Sequence, residues 1–247
     1  MENFFLEHLI DLSDKADNTN RFTFSNFLNE DEINELLKHK NSFIKYTLFG
    51  GTNGTSRKIV RFGDEDELYY SEDFPIVTLK ITPVNKKFAD TLSHRDYLGA
   101  LMNLSIEREH IGDIITRENE AFIFVTKKMS NFICENLKKI KHTDVTCREC
   151  EFEQTDKLFT LEEITVISSS LRADCVICAV FNISRSTAEN YFDGKKVFIN
   201  SAVCENSSKQ LKENDTVSVR GFGKFIFNKE LSQTKKGRLK ISISLYK

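Results

Sequence analysis

Basic and hydrogen-bonding side chains are concentrated at residues 182–201, which read NISRSTAENYFDGKKVFINS. Ser184 is a typical N-cap, so Arg185 is expected in the first turn of a short helix, beside backbone N–H groups that lack helical partners. A helix start with an adjacent arginine is suited to binding phosphate. Lys195 and Lys196 follow the turn at the other end of this helix. The spacing therefore predicts a site for a phosphate-bearing ligand.

A strand is predicted directly after Lys196. Its alternation places Lys196, Phe198 and Asn200 on one face, opposite the apolar Val197 and Ile199. Charge, a flat ring and an amide together suit nucleic acid. Lys209 and Arg220 extend the same basic region. The alternative is a charged outer face on a small β-domain, which explains each residue singly but not their concentration.

The charge of the chain is unevenly distributed. The net charge is −2, but residues 168–247 hold 14 Lys+Arg and 7 Asp+Glu, a surplus of seven positive charges. The remainder keeps 21 of the 35 basic and 30 of the 37 acidic residues, a surplus of nine negative charges. Such a split suggests that the C-terminal end meets a polyanion; the alternative, which charge alone does not exclude, is a solvated lysine-rich surface.

The composition indicates a cytosolic protein with real hydrophobic cores. Apolar residues make up 40% of the chain, and no apolar run reaches the roughly 18 residues that a membrane span needs. The start, MENFFLEHLIDLSD, is acidic and has neither the basic region nor the cleavage site of a signal peptide. We expect a cytoplasmic monomer with no membrane span.

The six cysteines are expected to be reduced. Cys147 with Cys150 and Cys175 with Cys178 form two C-x-x-C pairs, a pattern that can bind zinc. The second pair, however, lies on the apolar stripe of a predicted helix with Leu171, which favours core packing. We therefore predict no metal site and no cofactor.

Enzymatic signatures are incomplete. His94-Arg95-Asp96 imitates a kinase catalytic loop, but no asparagine follows five residues after Asp96 and no D-F-G motif occurs. Residues 49–54, FGGTNG, lack the Lys-Ser/Thr of a P-loop. Arg95 and Arg108 are candidates for RNA phosphate contacts; the alternative is structural pairing with local carboxylates. No catalytic residue is assigned.

The pattern of elements predicts an α+β fold in three domains. Residues 1–74 read as helices followed by a hairpin around the Gly-rich turn. Residues 75–160 follow the order β-α-β-β-α-β, which is the ferredoxin-like or RRM-like split unit. Phe122 and Phe124 in its strands lack the basic, aromatic signature of an RNA-stacking RRM and are interpreted as core. Residues 161–247 read as two helices followed by strands.

The C-terminal segment LRADCVICAVFNISRSTAENYFDGKKVFINSAVCENSSKQLKENDTVSV resembles the RNA-binding domain first seen in ribosomal small-subunit protein S-four. The resemblance rests on Arg172 and Asp174, the Ser-Arg helix opening, the hairpin through Asn200, and Asp215. It departs from the pattern in the hairpin entry, which is one residue longer. The resemblance implies a helix-hairpin surface that binds structured RNA, with these RNA-binding residues: Arg172, Ser184, Arg185, Lys195, Lys196, Phe198, Asn200, Lys209 and Arg220.

Two further segments, HRDYLGALMNLSIEREHIGDIIT and LFGGTNGTSRKIVRFG, resemble the YlmH family of RNA-binding proteins. This resemblance implies a non-catalytic protein that binds ribosomal RNA, tRNA or both on the large ribosomal subunit. It also implies a role in ribosome-associated quality control, the rescue of stalled translation complexes. The alternative is an RNA-modifying enzyme of the pseudouridine synthase or rRNA methyltransferase type that docks its substrate through the C-terminal module.

Overall fold

The protein is a mixed α+β molecule, and the computed structural model describes residues 2–117, 120–150 and 161–246. The chain divides into two compact units, residues 1–158 and 159–247. The finer division into three domains, with boundaries after residues 74 and 160, stays a prediction. In the described residues, no helix has the length and hydropathy of a membrane span. The α-helices are α1 Glu2–Thr19, α2 Glu30–Lys38, α3 Glu65–Leu68, α4 His94–Asn103, α5 Lys127–Asn136, α6 Ala173–Phe181 and α7 Arg185–Asp193.

The strands that the structure describes form three sheets, with antiparallel pairing between neighbours. In the first unit they are β1 Thr23–Phe24, β2 Tyr46–Phe49, β3 Ile59–Phe62, β4 Ile76–Pro83, β5 Ile111–Arg117, β6 Glu120–Thr126, β7 Lys139–Ile140 and β8 Thr143–Cys150. In the second they are β9 Leu161–Ser168, β10 Val197–Ile199, β11 Ala202–Val203, β12 Thr216–Val219, β13 Gly223–Gln233 and β14 Leu239–Tyr246.

The N-terminal part of the first unit is a small sheet of order β1-β3-β2 with α1 and α2. A capping box fixes the start of α2: the Asn29 side chain accepts from the backbone of Glu32 at 3.0 Å, and Glu32 accepts from the Asn29 backbone N–H at 2.7 Å. Ile33 and Leu36 then face inward and pack with Phe62 in a buried cluster.

A five-stranded sheet of order β5-β6-β4-β8-β7 forms the larger part of the first unit. Its elements follow one another as β-α-β-β-α-β, with the two-residue β7 added before the last strand. Helices α4 and α5 cover one face, where Tyr97, Leu101 and Ile133 pack against Ile81 and Ile123. The alternation of the strands thus buries one complete apolar face under the two helices.

The opposite face of this sheet is covered by the N-terminal part. Phe122 and Phe124 of β6 form a buried cluster with Phe27 and Ile59. Gly51 approaches so closely that a Cβ there would lie 2.2 Å from Cδ1 of the Phe124 ring, and its φ of +102° also requires glycine. These contacts agree with the interpretation of both phenylalanines as core residues.

The second unit is one sheet of order β11-β10-β12-β13-β14-β9 packed against α6 and α7. Val176 of α6 and Phe192 of α7 meet Val217, Phe225 and Ile243 of the sheet in a single core. The alternating apolar residues of β14 are the reason that this strand presents one face to the helices.

Two local predictions from the sequence are wrong. The acidic cluster Asp64–Glu67 predicts a solvated loop, but Asp64 caps the one-turn helix α3 by accepting from the Asp66 N–H at 3.1 Å. The apolar spacing of residues 129–140 predicts one helix, but α5 ends at Asn136 and residues 139–140 pair with β8. The segment beginning at Leu161, for which the sequence allows a strand or a linker, is a full strand.

Candidate nucleic-acid interface

The start of α7 has the predicted cap. Ser184 Oγ accepts from the backbone N–H of Thr187 at 3.1 Å. Arg185 is the first residue of the helix and is exposed, and its Nη2 donates to Ser169 Oγ at 3.1 Å. A second donor contact from Nη2 reaches Cys175 Sγ at 3.4 Å. These contacts hold the Arg185 guanidinium beside the first turn of α6.

Arg172 and Lys209 lie at the same end of α6. The Arg172 guanidinium binds both carboxylate oxygens of Asp174, at 3.0 and 2.8 Å. The Lys209 backbone carbonyl accepts from the N–H of Ala173 at 2.8 Å. We call Arg172, Arg185 and Lys209 the helix-start cluster. It brings the guanidinium groups of Arg172 and Arg185 to the N-terminal ends of two helices, where the helix dipoles also favour anions, and Lys209 joins them through its backbone.

Asp174 orients Arg172 in this cluster. Burial alone would raise the pKa of Asp174, but hydrogen bonds from Arg172 and from the Cys175 backbone outweigh burial and lower the pKa. The hydrogen bond with Asp174 in turn raises the pKa of Arg172. Both groups are charged at neutral pH, and the pair leaves the guanidinium 41% exposed. Arg172 is therefore held in place at the surface.

A second group of cations lies at the far end of α7, and we call Lys195, Lys196 and Arg220 the hairpin cluster. The Arg220 N–H donates to the Lys196 carbonyl at 3.0 Å, which joins the end of β12 to the turn after α7. Lys196 Nζ lies 5.4 Å from the centroid of the Tyr191 ring. Lys195 has a φ of +54° and an exposed ion pair with Glu205 at 3.2 Å. Tyr191 is a member of this surface that the sequence reasoning did not identify.

The structure places Phe198 and Asn200 differently from the sequence expectation. Phe198 is 1% exposed, and the Arg220 guanidinium carbon lies 4.9 Å from its ring centroid. All three residues of β10 are buried, so the alternation of this strand does not present a ring to solvent. The Asn200 amide donates to Asp215 at 2.8 Å and its oxygen accepts from the Thr216 N–H at 2.9 Å. The buried Phe198 ring therefore packs against the Arg220 guanidinium. The Asn200 side chain links the hairpin to Asp215 and Thr216.

The two clusters are separated by the length of α7. This helix has 9 residues, and at about 1.5 Å per residue it spans roughly 13 Å. The predicted single basic face is thus two cationic groups at the two ends of one helix. A ligand that contacts both must itself extend over that distance, as a folded polynucleotide backbone does and a single phosphate does not.

The two candidate arginines of the first unit have different surroundings. Arg95 is exposed in the first turn of α4. Arg108 is half-buried, and its Nη1 donates to the backbone carbonyls of Ile111 and Gly112. Burial, and secondarily the charge of Arg57, lowers the pKa of Arg108 to about 10. Arg108 therefore has a structural role, although its hydrogen bonds go to backbone carbonyls and not to the carboxylates that the sequence suggested, whereas Arg95 is accessible.

The cysteines do not support the zinc pattern. Cys175 is buried in α6, and Cys147 Sγ lies 3.3 Å from Cys134 Sγ, half-buried between α5 and β8. Burial is the main reason that the pKa of the Cys147 thiol is raised well above its ordinary value. Within the described residues, the group with metal-ligating proximity is Glu107, Glu109 and His110, which contains no cysteine.

Comparisons with known proteins agree with the resemblance found in the sequence. Residues 70–154 match the family model described as "Putative RNA-binding domain in YlmH". The ribosome-associated protein quality control protein P2 of Bacillus subtilis is 28% identical over 169 residues. This match covers 66% of the present chain and 65% of the Bacillus protein, so the chain spans slightly less than two thirds of that relative.

A solved structure, the cell division protein ylmH from Streptococcus pneumoniae, is similar with a TM-score of 0.49 and 22% identity. It covers 63% of the present chain and 94% of the Streptococcus chain. The family model confirms the resemblance to YlmH proteins for the segment 70–154. The S-four type of the C-terminal module stays a prediction.

Proposed function

We propose that this chain is a non-catalytic RNA-binding protein that binds structured ribosomal RNA, tRNA or both on the large ribosomal subunit. The proposed role is ribosome-associated quality control, the rescue of stalled translation complexes. The name of the Bacillus relative supports this role by similarity. The family match of residues 70–154 supports the RNA-binding character.

One observation carries the proposal: two cationic clusters lie at the two ends of a single short helix. The helix-start cluster adds helix N-termini to its positive charge, and the hairpin cluster adds the Tyr191 ring under Lys196. Cations and helix N-termini contact phosphate and so fix the register of a protein on RNA, without reading the base sequence. The arrangement therefore favours recognition of a folded backbone by shape and charge.

The fold supports the same proposal at the level of domains. The order β-α-β-β-α-β of residues 76–150, in an antiparallel sheet, is that of the RRM-like split unit. Two helices followed by the β10 hairpin have the order expected of the S-four-type module. We propose these two assignments, with Arg172, Arg185, Lys195, Lys196, Lys209 and Arg220 as the RNA-contacting side chains.

Charge reversal of one residue from each cluster tests the proposal. Arg185→Glu combined with Lys196→Glu is expected to weaken binding of ribosomal RNA at least tenfold, because both phosphate contacts become repulsive. The fold should persist, since both side chains are exposed. Filter binding gives the affinity, and circular dichroism checks the fold.

A matched control makes the same change of charge elsewhere in the second unit. Lys235→Glu with Lys236→Glu alters the exposed turn between β13 and β14. This variant should bind RNA within about threefold of wild type. Equal losses in the two variants would mean that only total charge matters, and unchanged affinity in the first variant would contradict the proposed surface.

The enzymatic alternative has its own readout. A strain that lacks this protein should retain every rRNA modification of the parent strain. Its sedimented ribosomal fractions should contain fewer of the ribosomal complexes that the protein normally joins. Loss of one modified nucleotide, restored by the wild-type chain, would favour the RNA-modifying enzyme instead.

A further inference from the structure

The segment 70–154 matches an RNA-binding domain, yet its sheet is not open to RNA. An RRM binds bases on the face of its sheet that its helices leave free. Here that face carries Phe122 and Phe124, which are buried against Phe27 and Ile59. Gly51 lies directly on the Phe124 ring. RNA binding by this domain therefore requires a different surface.

An open groove of about 650 Å³ lies on the helical side of the domain, between α4 and the segment that joins α5 to β8. Four cationic side chains line it, and Asp96 is the one carboxylate among its lining residues. The cations are Arg95, Lys138, Lys139 and Lys141. The groove thus has a surplus of three positive charges in a chain whose first unit is acidic overall.

The carboxylate is already neutralised within the groove. Asp96 accepts from Lys141 Nζ at 2.8 Å, and it also accepts from the Ser93 backbone N–H at 2.8 Å and from the Ser93 hydroxyl at 2.7 Å. Lys138 Nζ donates to the Cys134 carbonyl at the end of α5, at 3.1 Å, and no described carboxylate pairs with it. Among the residues that the structure describes, none forms an ion pair with Arg95 or Lys139.

The floor of the groove contains Gly99, in the middle of α4. A Cβ on Gly99 would meet no described heavy atom within 4 Å, and its φ is not in the left-handed region. Glycine in a helix interior is unfavourable relative to alanine, and neither packing nor conformation requires it here. A ligand backbone that approaches the helix closely would provide the reason.

We propose that this groove binds the phosphodiester backbone of RNA, as a second RNA-binding surface besides the two clusters of the C-terminal unit. The inference rests on the proposed RNA binding and assigns it a further site in residues 95–141. It also gives a role to Arg95 of the His-Arg-Asp motif. An amphipathic peptide is disfavoured as the ligand because Leu137 is 2% exposed, which leaves only the half-buried Ala100 and Leu104 as apolar contacts in the groove.

The first test removes two groove charges from the full chain. Arg95→Gln with Lys139→Gln should reduce the affinity for a fluorescein-labelled RNA hairpin about tenfold at about 50 mM salt. The slope of log K against log salt should become shallower by about 1.4 to 1.8, since each of the two lost phosphate contacts removes about 0.7 to 0.9. The matched control Lys127→Gln with Lys128→Gln changes exposed lysines at the opposite end of α5 and should leave the slope unchanged.

Gly99→Ala tests whether an RNA backbone lies against Gly99 or whether this part of α4 faces only solvent. It should raise the midpoint of thermal unfolding by about 2 °C, because alanine favours the helix. It should lower RNA affinity at least threefold, because the methyl group occupies the floor. A stabilised variant with wild-type affinity would overturn the proposed seating of the backbone.

Comparison of the groove variant, Arg95→Gln with Lys139→Gln, with the C-terminal variant, Arg185→Glu with Lys196→Glu, distinguishes the two surfaces. If the groove variant binds like wild type while the C-terminal variant loses affinity, the groove proposal fails and the proposed function stands. If only the groove variant loses affinity, the C-terminal surface is wrong and the groove stands. Equal losses in the groove variant and the Lys127/Lys128 control would overturn the groove. Competition by polyglutamate as strong as that by oligouridylate of equal charge would also overturn the assignment to RNA.

Discussion

At the residue scale, the burial of Phe198 decides what its substitution should change. The ring lies inside the second unit with the Arg220 guanidinium over it. Phe198→Ala is expected to lower the free energy of unfolding by about 3 to 5 kcal/mol, since a large buried ring is removed from a packed site. Urea unfolding of the full chain, followed by circular dichroism, measures this loss.

Phe198→Leu is the control for a direct contact between the ring and RNA. It keeps an apolar side chain of moderate size at the site, so the cost in stability should stay below about 1.5 kcal/mol. RNA affinity should stay within about twofold of wild type. A folded Phe198→Leu protein whose RNA affinity fell tenfold would show that the aromatic ring itself is recognised.

The sequence predicted which residue types form the C-terminal surface but not how each is used. Ser184, Arg185 and Lys196 follow from helix-cap and turn chemistry, which is local in sequence. The burial of Phe198 depends on Arg220, which is distant in sequence. Arg108 donates to backbone carbonyls through a tertiary contact that no spacing rule reveals. Sequence patterns therefore fail to predict the side-chain contacts that join one element to another.

At the element scale, the start of α2 rests on the Asn29 capping box. Asn29→Ala removes the acceptor for the Asp31 and Glu32 N–H groups, at 2.9 and 3.0 Å. The expected loss is about 1 kcal/mol in the free energy of unfolding of the first unit. Amide hydrogen exchange in the first turn of α2 should become faster by the factor that this loss of free energy corresponds to.

The comparison for this prediction is Lys38→Ala at the other end of α2. Lys38 is 60% exposed and pairs with Glu35 at the surface. Such pairs contribute about 0.3 to 0.5 kcal/mol, so this variant should change the exchange of the first turn little. Equal effects from Asn29→Ala and Lys38→Ala would contradict a specific role for the cap.

Length decides which elements the sequence predicts. Helix α7 and strand β14 have clear periodicity over 9 and 8 residues and agree with the expectation. Strand β7 has 2 residues and helix α3 has 4, which is too short for a period to appear. Their formation depends on the β8 partner strand and on the Asp64 cap. The groove beside α4 is lined by the residues that follow the end of α5 at Asn136. Because the sequence pattern did not predict this helix end, it did not predict the groove either.

At the scale of the whole molecule, the uneven distribution of charge matters more than the net charge of −2. The surplus of seven positive charges in residues 168–247, which is five over the whole second unit because that unit also contains Glu162 and Glu163, gives this unit an attraction for polyanions that the total conceals. In the first unit, the groove is a local region with a positive surplus. The first unit therefore presents a local basic region against an acidic background, whereas the second unit is basic overall.

This distribution predicts a steep dependence of RNA affinity on salt for the wild-type chain. Four to six phosphate contacts from the two C-terminal clusters alone give a slope of about −3 to −5 in log K against log salt, and contacts in the groove would make it steeper. Affinity should therefore fall on the order of 10² to 10³ between about 50 and 200 mM salt. Sucrose at matched osmolality should leave the affinity nearly unchanged, because it releases no counterions. A slope near zero would mean that stacking or base contacts dominate, which the buried Phe198 and the covered sheet face argue against.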